Sequence, residues 1–193
     1  MSKTTDLDPS RSALLLMDYQ PVVVAQLGAD ATIAPAAAAR ATADSLGIQV
    51  AYVRVAFTPQ DFASISTRNR TFGPMQGGGF LVDGSPEAEV VEALAPKDGD
   101  IVVRKTRLGA FSTTNLVQQL RSRDIDTLFL AGISTGGVVL STVRDAADRD
   151  FRLFVLSDCC FDPNDAVHSA LINGVFPVSA QITTSGEFAG LFA

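Results

Sequence analysis

The stretch GISTGGVVLSTVRDA, Gly132 to Ala146, decides how this chain is read. An apolar run, DTLFLAGI, leads into it, and an amphipathic run follows. That succession is a strand end, a turn and a helix start, the place where α/β enzymes set reactive groups. The turn itself offers Ser134, Thr135, Gly136, Gly137 and two valines, Val138 and Val139, and no cysteine.

The same grammar repeats outward. Upstream, ALLLM (Ala13–Met17) is a short continuous apolar run ending at Asp18, as expected of a strand buried on both faces with a carboxylate at its carboxyl end. Residues 31 to 46 are alanine-rich and predict a helix with Ile33, Ala37, Ala41 and Leu46 on one face and Gly47 as its stop. IQVAYVRVAF is the second predicted strand. PEAEVVEAL reads as a short helix, and DIVVRK as a strand ending near Lys105. TTNLVQQLRSRDI reads as an amphipathic helix that Ser112, Thr113 or Thr114 can cap. Downstream, GGVVLSTVRDAADRD is a helix, FRLFVLSDCC a strand, NDAVHSALINGVF a helix and VSAQITT a last short strand. Strands alternating with helices predict an α/β fold: one domain over residues 1–193, with a mostly parallel central sheet and helices on both faces in a three-layer sandwich. Between Thr58 and Pro86 the pattern breaks, with Gly77, Gly78 and Gly79 in a row. A loop of that length is either a functional or interface segment or a surface excursion.

Bulk properties narrow the function classes. The 193 residues suffice for one core. A net charge of −6 argues against a nucleic-acid binder, which needs a basic surface. No apolar run approaches the ~20 residues of a membrane helix, and the polar N-terminus lacks a signal-peptide core. Adjacent Cys159 and Cys160 make neither a disulfide framework nor a metal site, which fits a reducing cytoplasm. QGGGF lacks the phosphate-loop frame and GISTGG lacks the dinucleotide pattern, so no cofactor is expected.

In parallel sheets, ligands bind beyond the carboxyl ends of the strands. Asp18, Lys105 and the Gly132–Gly137 turn all fall there. An aspartate beside a lysine in a partly buried cleft can exchange a proton or hold developing charge. The same two residues can equally form a structural ion pair.

At these residues the chain resembles the isochorismatase-like cysteine hydrolases, over roughly Ser12 to Gly186. ALLLMDYQ is similar to that family's first strand, with Asp18 and Gln20 in its D-x-Q pattern. VVRKTRLGAF is similar to its lysine strand, with Lys105 followed by Ala110 and Phe111. LFLAGISTGGVVLSTVRDAADRDFRLFVLSDCC is similar to its nucleophile segment, and DCC, His168 and ITT to its closing pattern. The resemblance implies a catalytic pair, Asp18 and Lys105, and substrate contacts from Gln20, Phe111, Ser134, Thr135, Gly136, Gly137 and Val138. It also implies a cis peptide between Ile133 and Ser134, a small-molecule substrate, and dimers or tetramers with Thr58–Pro86 as a candidate interface.

The departures from that pattern carry chemistry. Gly136 stands at the family's asparagine position and Val138 at its cysteine position. Valine has no nucleophilic atom, so a thioester route through that position is closed. Burial is the expected role of Cys159 and Cys160. Members without the cysteine act on a vinyl ether through the aspartate, so the resemblance implies a hydrolase without a thiol. The alternative is a silent relative that binds or assembles. The single histidine, His168, rules out the family's histidine-rich metal cluster, and no metal is expected. Phe72 or Phe80 from the long loop are candidates to cover the pocket. Light scattering at micromolar concentration is expected to resolve a species larger than the monomer, and a clean monomer would contradict the association that the resemblance implies.

Overall fold

The computed structural model describes residues 7–192. Six strands form one sheet: β1 (Ser12–Met17), β2 (Gln49–Val55), β3 (Ile101–Lys105), β4 (Thr127–Ile133), β5 (Arg152–Phe161) and β6 (Gln181–Thr183). Their order is β3-β2-β1-β4-β5-β6, and every neighbouring pair is parallel. The chain starts in the middle, winds outward to β3, then returns to the other side of β1 as β4. The order therefore reverses between β1 and β4, the kind of switch point beyond which parallel α/β sheets place their ligands.

Central position explains strand composition. Every residue of β1 and of β4 is buried, matching their unbroken apolar runs. Alternate residues feed two cores. Ala13, Leu15 and Met17 join Leu116, Leu120, Val139 and Val143 on one face. Leu14 and Leu16 join Ala36, Ala39, Ala43 and Phe188 on the other. The first face is covered by α4 (Leu116–Arg121) and α5 (Leu140–Ala147), the second by α1 (Pro21–Leu27) and α2 (Ile33–Leu46).

Several elements differ from the sequence reading. Helix α2 buries Ala36, Ala39, Arg40 and Ala43, while Ala41 is exposed. The small alanines let the helix approach the sheet, and Arg40 goes inside because it pairs with Asp44 and, at 2.9 Å, with Asp100. PEAEVVEAL forms two single 3₁₀ turns, Pro86–Ala88 and Glu92–Leu94, instead of a helix. Its backbone is claimed by tertiary partners: the Val91 N–H donates to the Tyr19 carbonyl, and the Ala88 carbonyl accepts from Gln20 Nε2. The segment after Gly132 enters its helix through a π turn, Thr135–Val139. The predicted late helix is shorter, α6 (Asp165–Ala170), followed by a π turn and a 3₁₀ turn.

The long excursion has structure of its own. Helix α3 (Pro59–Ser64) begins with a capping box between Thr58 and Asp61. Phe57, Phe62, Phe72 and Leu81 make a small separate core. Ion pairs fasten it to the sheet, Arg104–Asp61 at 2.7 Å and Arg54–Asp83 at 2.9 Å. The glycine run borders a groove of about 360 Å³ with Pro59, Phe62 and Val82. Gly78 adopts φ +75° there, with Phe62 against it.

Arg40 and Asp100 form a buried pair, so Arg40→Met leaves a buried carboxylate without its cation. Urea unfolding is expected to show a loss of about 3–5 kcal/mol.

Candidate functional site

Asp18 and Lys105 belong to strands separated by β2, so about 10 Å of sheet lies between their backbones. The length of the lysine side chain closes that gap. Its Nζ donates to Asp18 Oδ2 at 2.8 Å and to the Arg107 carbonyl at 3.1 Å. Both residues are buried, Lys105 2% exposed and Asp18 6%. The other carboxylate oxygen, Asp18 Oδ1, is buried with no hydrogen-bond partner. Burial raises the Asp18 pKa above the ordinary carboxylate value, against the lowering effect of the Lys105 charge.

Local backbone aims this carboxylate. Asp18 adopts φ 62°, a left-handed conformation that aspartate tolerates better than most residues. Its N–H remains in the sheet, donating to the Val53 carbonyl at 2.8 Å, while its carbonyl accepts from the Gln20 N–H. The chain thus turns sharply out of β1 at this residue.

The glycine turn lies on the adjacent strand. Met17 pairs with Gly132, one residue before Asp18 and two before Ser134. A Cβ on Gly132 would stand 3.0 Å from Met17 Cβ, so close strand contact requires glycine there. The Ile133–Ser134 peptide is cis. Beyond it the Ser134 carbonyl accepts from the Gly137 and Val139 N–H groups, both at 3.2 Å. The Gly136 N–H donates to Asp162 Oδ2 at 2.8 Å. Thr135 is fully buried, with Oγ1 2.8 Å from His168 Nδ1. Val138 is buried in the apolar core beside Gly132.

Two residues that the resemblance links to substrate are engaged in packing. The Gln20 side chain is fully buried and committed to backbone: Oε1 accepts from the Val55 N–H, and Nε2 donates to the Val55 and Ala88 carbonyls. It joins the end of β2 to Ala88, just past the end of the excursion, and commits both amide atoms to backbone. Phe111 points into the core, its ring parallel to that of Phe151 at 6.2 Å. Of the aromatic candidates, Phe72 is linked to the pair indirectly: the Arg107 guanidinium lies 5.6 Å over its ring, and the Arg107 carbonyl accepts from Lys105.

Neither cysteine offers a thiolate. Both are buried. Burial pushes the Cys160 thiol up to about 12 and the Cys159 thiol higher, where the Asp158 charge adds to the effect. Among the described residues, no three His, Cys, Asp or Glu side chains form a group able to hold a metal ion, and no helix is long and apolar enough to cross a membrane.

The model of the isochorismatase domain matches residues 12–187, from β1 through the segment after β6. The chain belongs to the isochorismatase family. It is 31% identical over 191 residues to the isochorismatase family protein YwoC of Bacillus subtilis, covering 97% of both chains. It is 32% identical over 152 residues to a maleamate amidohydrolase of Pseudomonas putida, covering 79% of this chain and 67% of that protein. Among solved structures, a cysteine hydrolase from Pseudomonas syringae pv. phaseolicola superposes with a TM-score of 0.84 at 26% identity, covering 100% of this chain and 98% of the other. Isochorismatase-family hydrolases act on small molecules, and the six-stranded parallel sheet with its flanking helices is the fold these neighbours share.

Asp162, His168 and Arg107 stand against the turn or the pair, yet the sequence reading gave them no site role. Asp162 had a local signal, the D-P-N triplet ahead of a helix. Arg107 is identified only by its contacts.

Gln20→Ala removes three hydrogen bonds to buried backbone. Thermal or urea unfolding is expected to show a stability loss of about 1–3 kcal/mol.

Proposed function

We propose that this isochorismatase-family chain hydrolyses a small molecule through Asp18 and Lys105, with no cysteine nucleophile. The supporting observation is the geometry of the pair: Lys105 Nζ holds Asp18 Oδ2 at 2.8 Å and leaves Oδ1 buried and unpartnered. A carboxyl whose pKa is raised by burial retains its proton into a higher pH range and can give it to a substrate. In the reaction, Asp18 protonates a vinyl ether carbon or the leaving atom of an amide or ester. Water adds to the electron-poor carbon, the bond to the leaving group breaks, and the proton released by water returns to Asp18. Between these steps Lys105 stabilises the Asp18 carboxylate.

Two backbone donors of the turn are committed within the protein: the Gly136 N–H is bonded to Asp162 and the Gly137 N–H to the Ser134 carbonyl. Val138 stands where the resemblance places a thiol, and its buried side chain forms no thioester. Ser134, Thr135, Gly136, Gly137 and Val138 then act as a wall that shapes the pocket.

A second reading, a silent binding or assembly protein, is favoured by one observation: Val138 packs as an ordinary core residue. In that case Asp18 and Lys105 are a fold-holding pair. A panel of small amides, esters and vinyl ethers, with maleamate among the amides, separates the two, because a silent protein turns over none of them.

Asp18→Asn is expected to lower turnover by about 100-fold or more, consistent with loss of a general acid. Turnover by the wild type is expected to fall as pH rises through the raised Asp18 pKa, because the acid form is consumed. The stability Asp18 contributes has the same sign: present below the ordinary carboxylate pKa and lost as pH climbs through the raised one. Replacing Cys159 and Cys160 together by serine is expected to leave the pH profile of turnover unchanged. Loss of activity in that variant, with unfolding by urea unchanged, would return the chemistry to a thiol.

A further inference from the structure

The connection from β5 to α6, together with α6, grips two successive residues of the glycine turn. Asp162 Oδ2 accepts from the Gly136 N–H at 2.8 Å, and Asp162 Oδ1 accepts from the Asn164 N–H at 3.1 Å. Asn164 caps α6, accepting from the Ala166 and Val167 N–H groups, and its carbonyl accepts from the His168 N–H. His168 then returns to the turn through Nδ1, 2.8 Å from Thr135 Oγ1. Asp162 is 8% exposed and Thr135 fully buried, so both contacts form largely out of water. Hydrogen bonds to a charged acceptor are stronger than neutral ones.

The choice of glycine at 136 follows from this contact. A Cβ there would lie 2.9 Å from Asp162 Oδ2 and 3.2 Å from Val167 Cγ1. The carboxylate occupies the space into which a side chain at 136 would project.

We infer that Asp162 and His168 are positioning residues, which hold the Ser134–Val138 turn against the Asp18–Lys105 pair, and that Gly136 is the partner that admits the Asp162 carboxylate. This rests on the proposed role of the pair. Strand pairing puts Met17 beside Gly132, so the turn and Asp18 leave neighbouring strands at the same level. A turn held rigidly there shields Asp18 from water and sustains its raised pKa. Released, it lets water reach the carboxyl.

The test compares Asp162→Ala with Asp162→Asn. Both remove the same charge, and asparagine keeps one acceptor oxygen, which can serve the Gly136 N–H at the expense of the Asn164 N–H, so a difference between them reads the Gly136 contact. In the alanine variant the Gly136 amide is expected to exchange with solvent about tenfold faster or more. The titration midpoint of the Asp18 carboxyl carbon, followed by NMR, is expected to fall toward the ordinary carboxylate value. Asparagine is expected to preserve both. On any panel compound that the wild type hydrolyses, alanine is expected to lower kcat by up to about 100-fold with little change in KM, and asparagine to restore most of it. Gly136→Ala is expected to destabilise the protein on its own and to do so less in the Asp162→Gly background, a coupling that unfolding measurements read even if one variant folds poorly. Equal Gly136 exchange and an equal Asp18 midpoint in the two Asp162 variants would overturn the inference, as would additive effects at 136 and 162. A covalent adduct on Thr135, found by mass spectrometry after incubation with the panel, would overturn it too, by making His168 a base for a nucleophile. If the panel gives no turnover while the NMR and coupling results hold, the proposed activity fails and the positioning of the turn stands.

Discussion

A buried ion pair spanning two strand spacings organises this molecule. Lys105 lies at the end of β3 and Asp18 at the end of β1, and β2 runs between them. A buried charge is costly unless it is paired, so burial of the pair demands that the three strand ends stay level. Parallel pairing meets that demand, because it places the carboxyl ends of β1, β2 and β3 on one edge of the sheet. The Arg107 carbonyl adds a second acceptor for Nζ, which ties the loop after β3 to the same point. The excursion is coupled to it as well, through the Arg107 guanidinium over Phe72.

The return of the chain across β1 to form β4 brings the glycine turn to this edge. That reversal makes the β1 and β4 ends a topological switch point, where parallel α/β sheets place their ligands. Small residues then set how near the two loops come. Gly132 permits contact with Met17, and Gly136 permits the Asp162 carboxylate to reach backbone. Val138 turns inward to the core, away from any role that needs a reactive atom. The proposed chemistry rests on this combination of a buried carboxyl and a wall of backbone, which suits proton transfer more than covalent capture.

Much of the fold was legible because its signals are local. The apolar runs at Ala13–Met17 and in DTLFLAGI marked strands buried on both faces, and both became central strands. Gly47 ended α2, with the left-handed conformation glycine allows. The Thr58–Asp61 capping box was also present in the sequence, but the surrounding glycines and prolines masked the short helix α3 that it starts. PEAEVVEAL reads as helical by composition alone, and failed to form a helix because Tyr19 and Gln20 took its backbone groups. Gln20 and Phe111 occupy positions that the resemblance links to substrate, whereas their packing depends on partners 35 and 40 residues away, Val55 and Phe151.

By itself, the sequence determined the alternation of strands and helices, the carboxylate and the ammonium at two strand ends, and the absence of a thiol from the turn at a third. These are properties of residue type and short-range pattern. Only the tertiary structure decided which strands are neighbours, that Lys105 reaches Asp18 across β2, that one oxygen of Asp18 is left unpartnered, and that Asp162 fills the space beside Gly136. Each of those depends on groups brought together from distant parts of the chain, where burial and hydrogen-bond satisfaction override local preference.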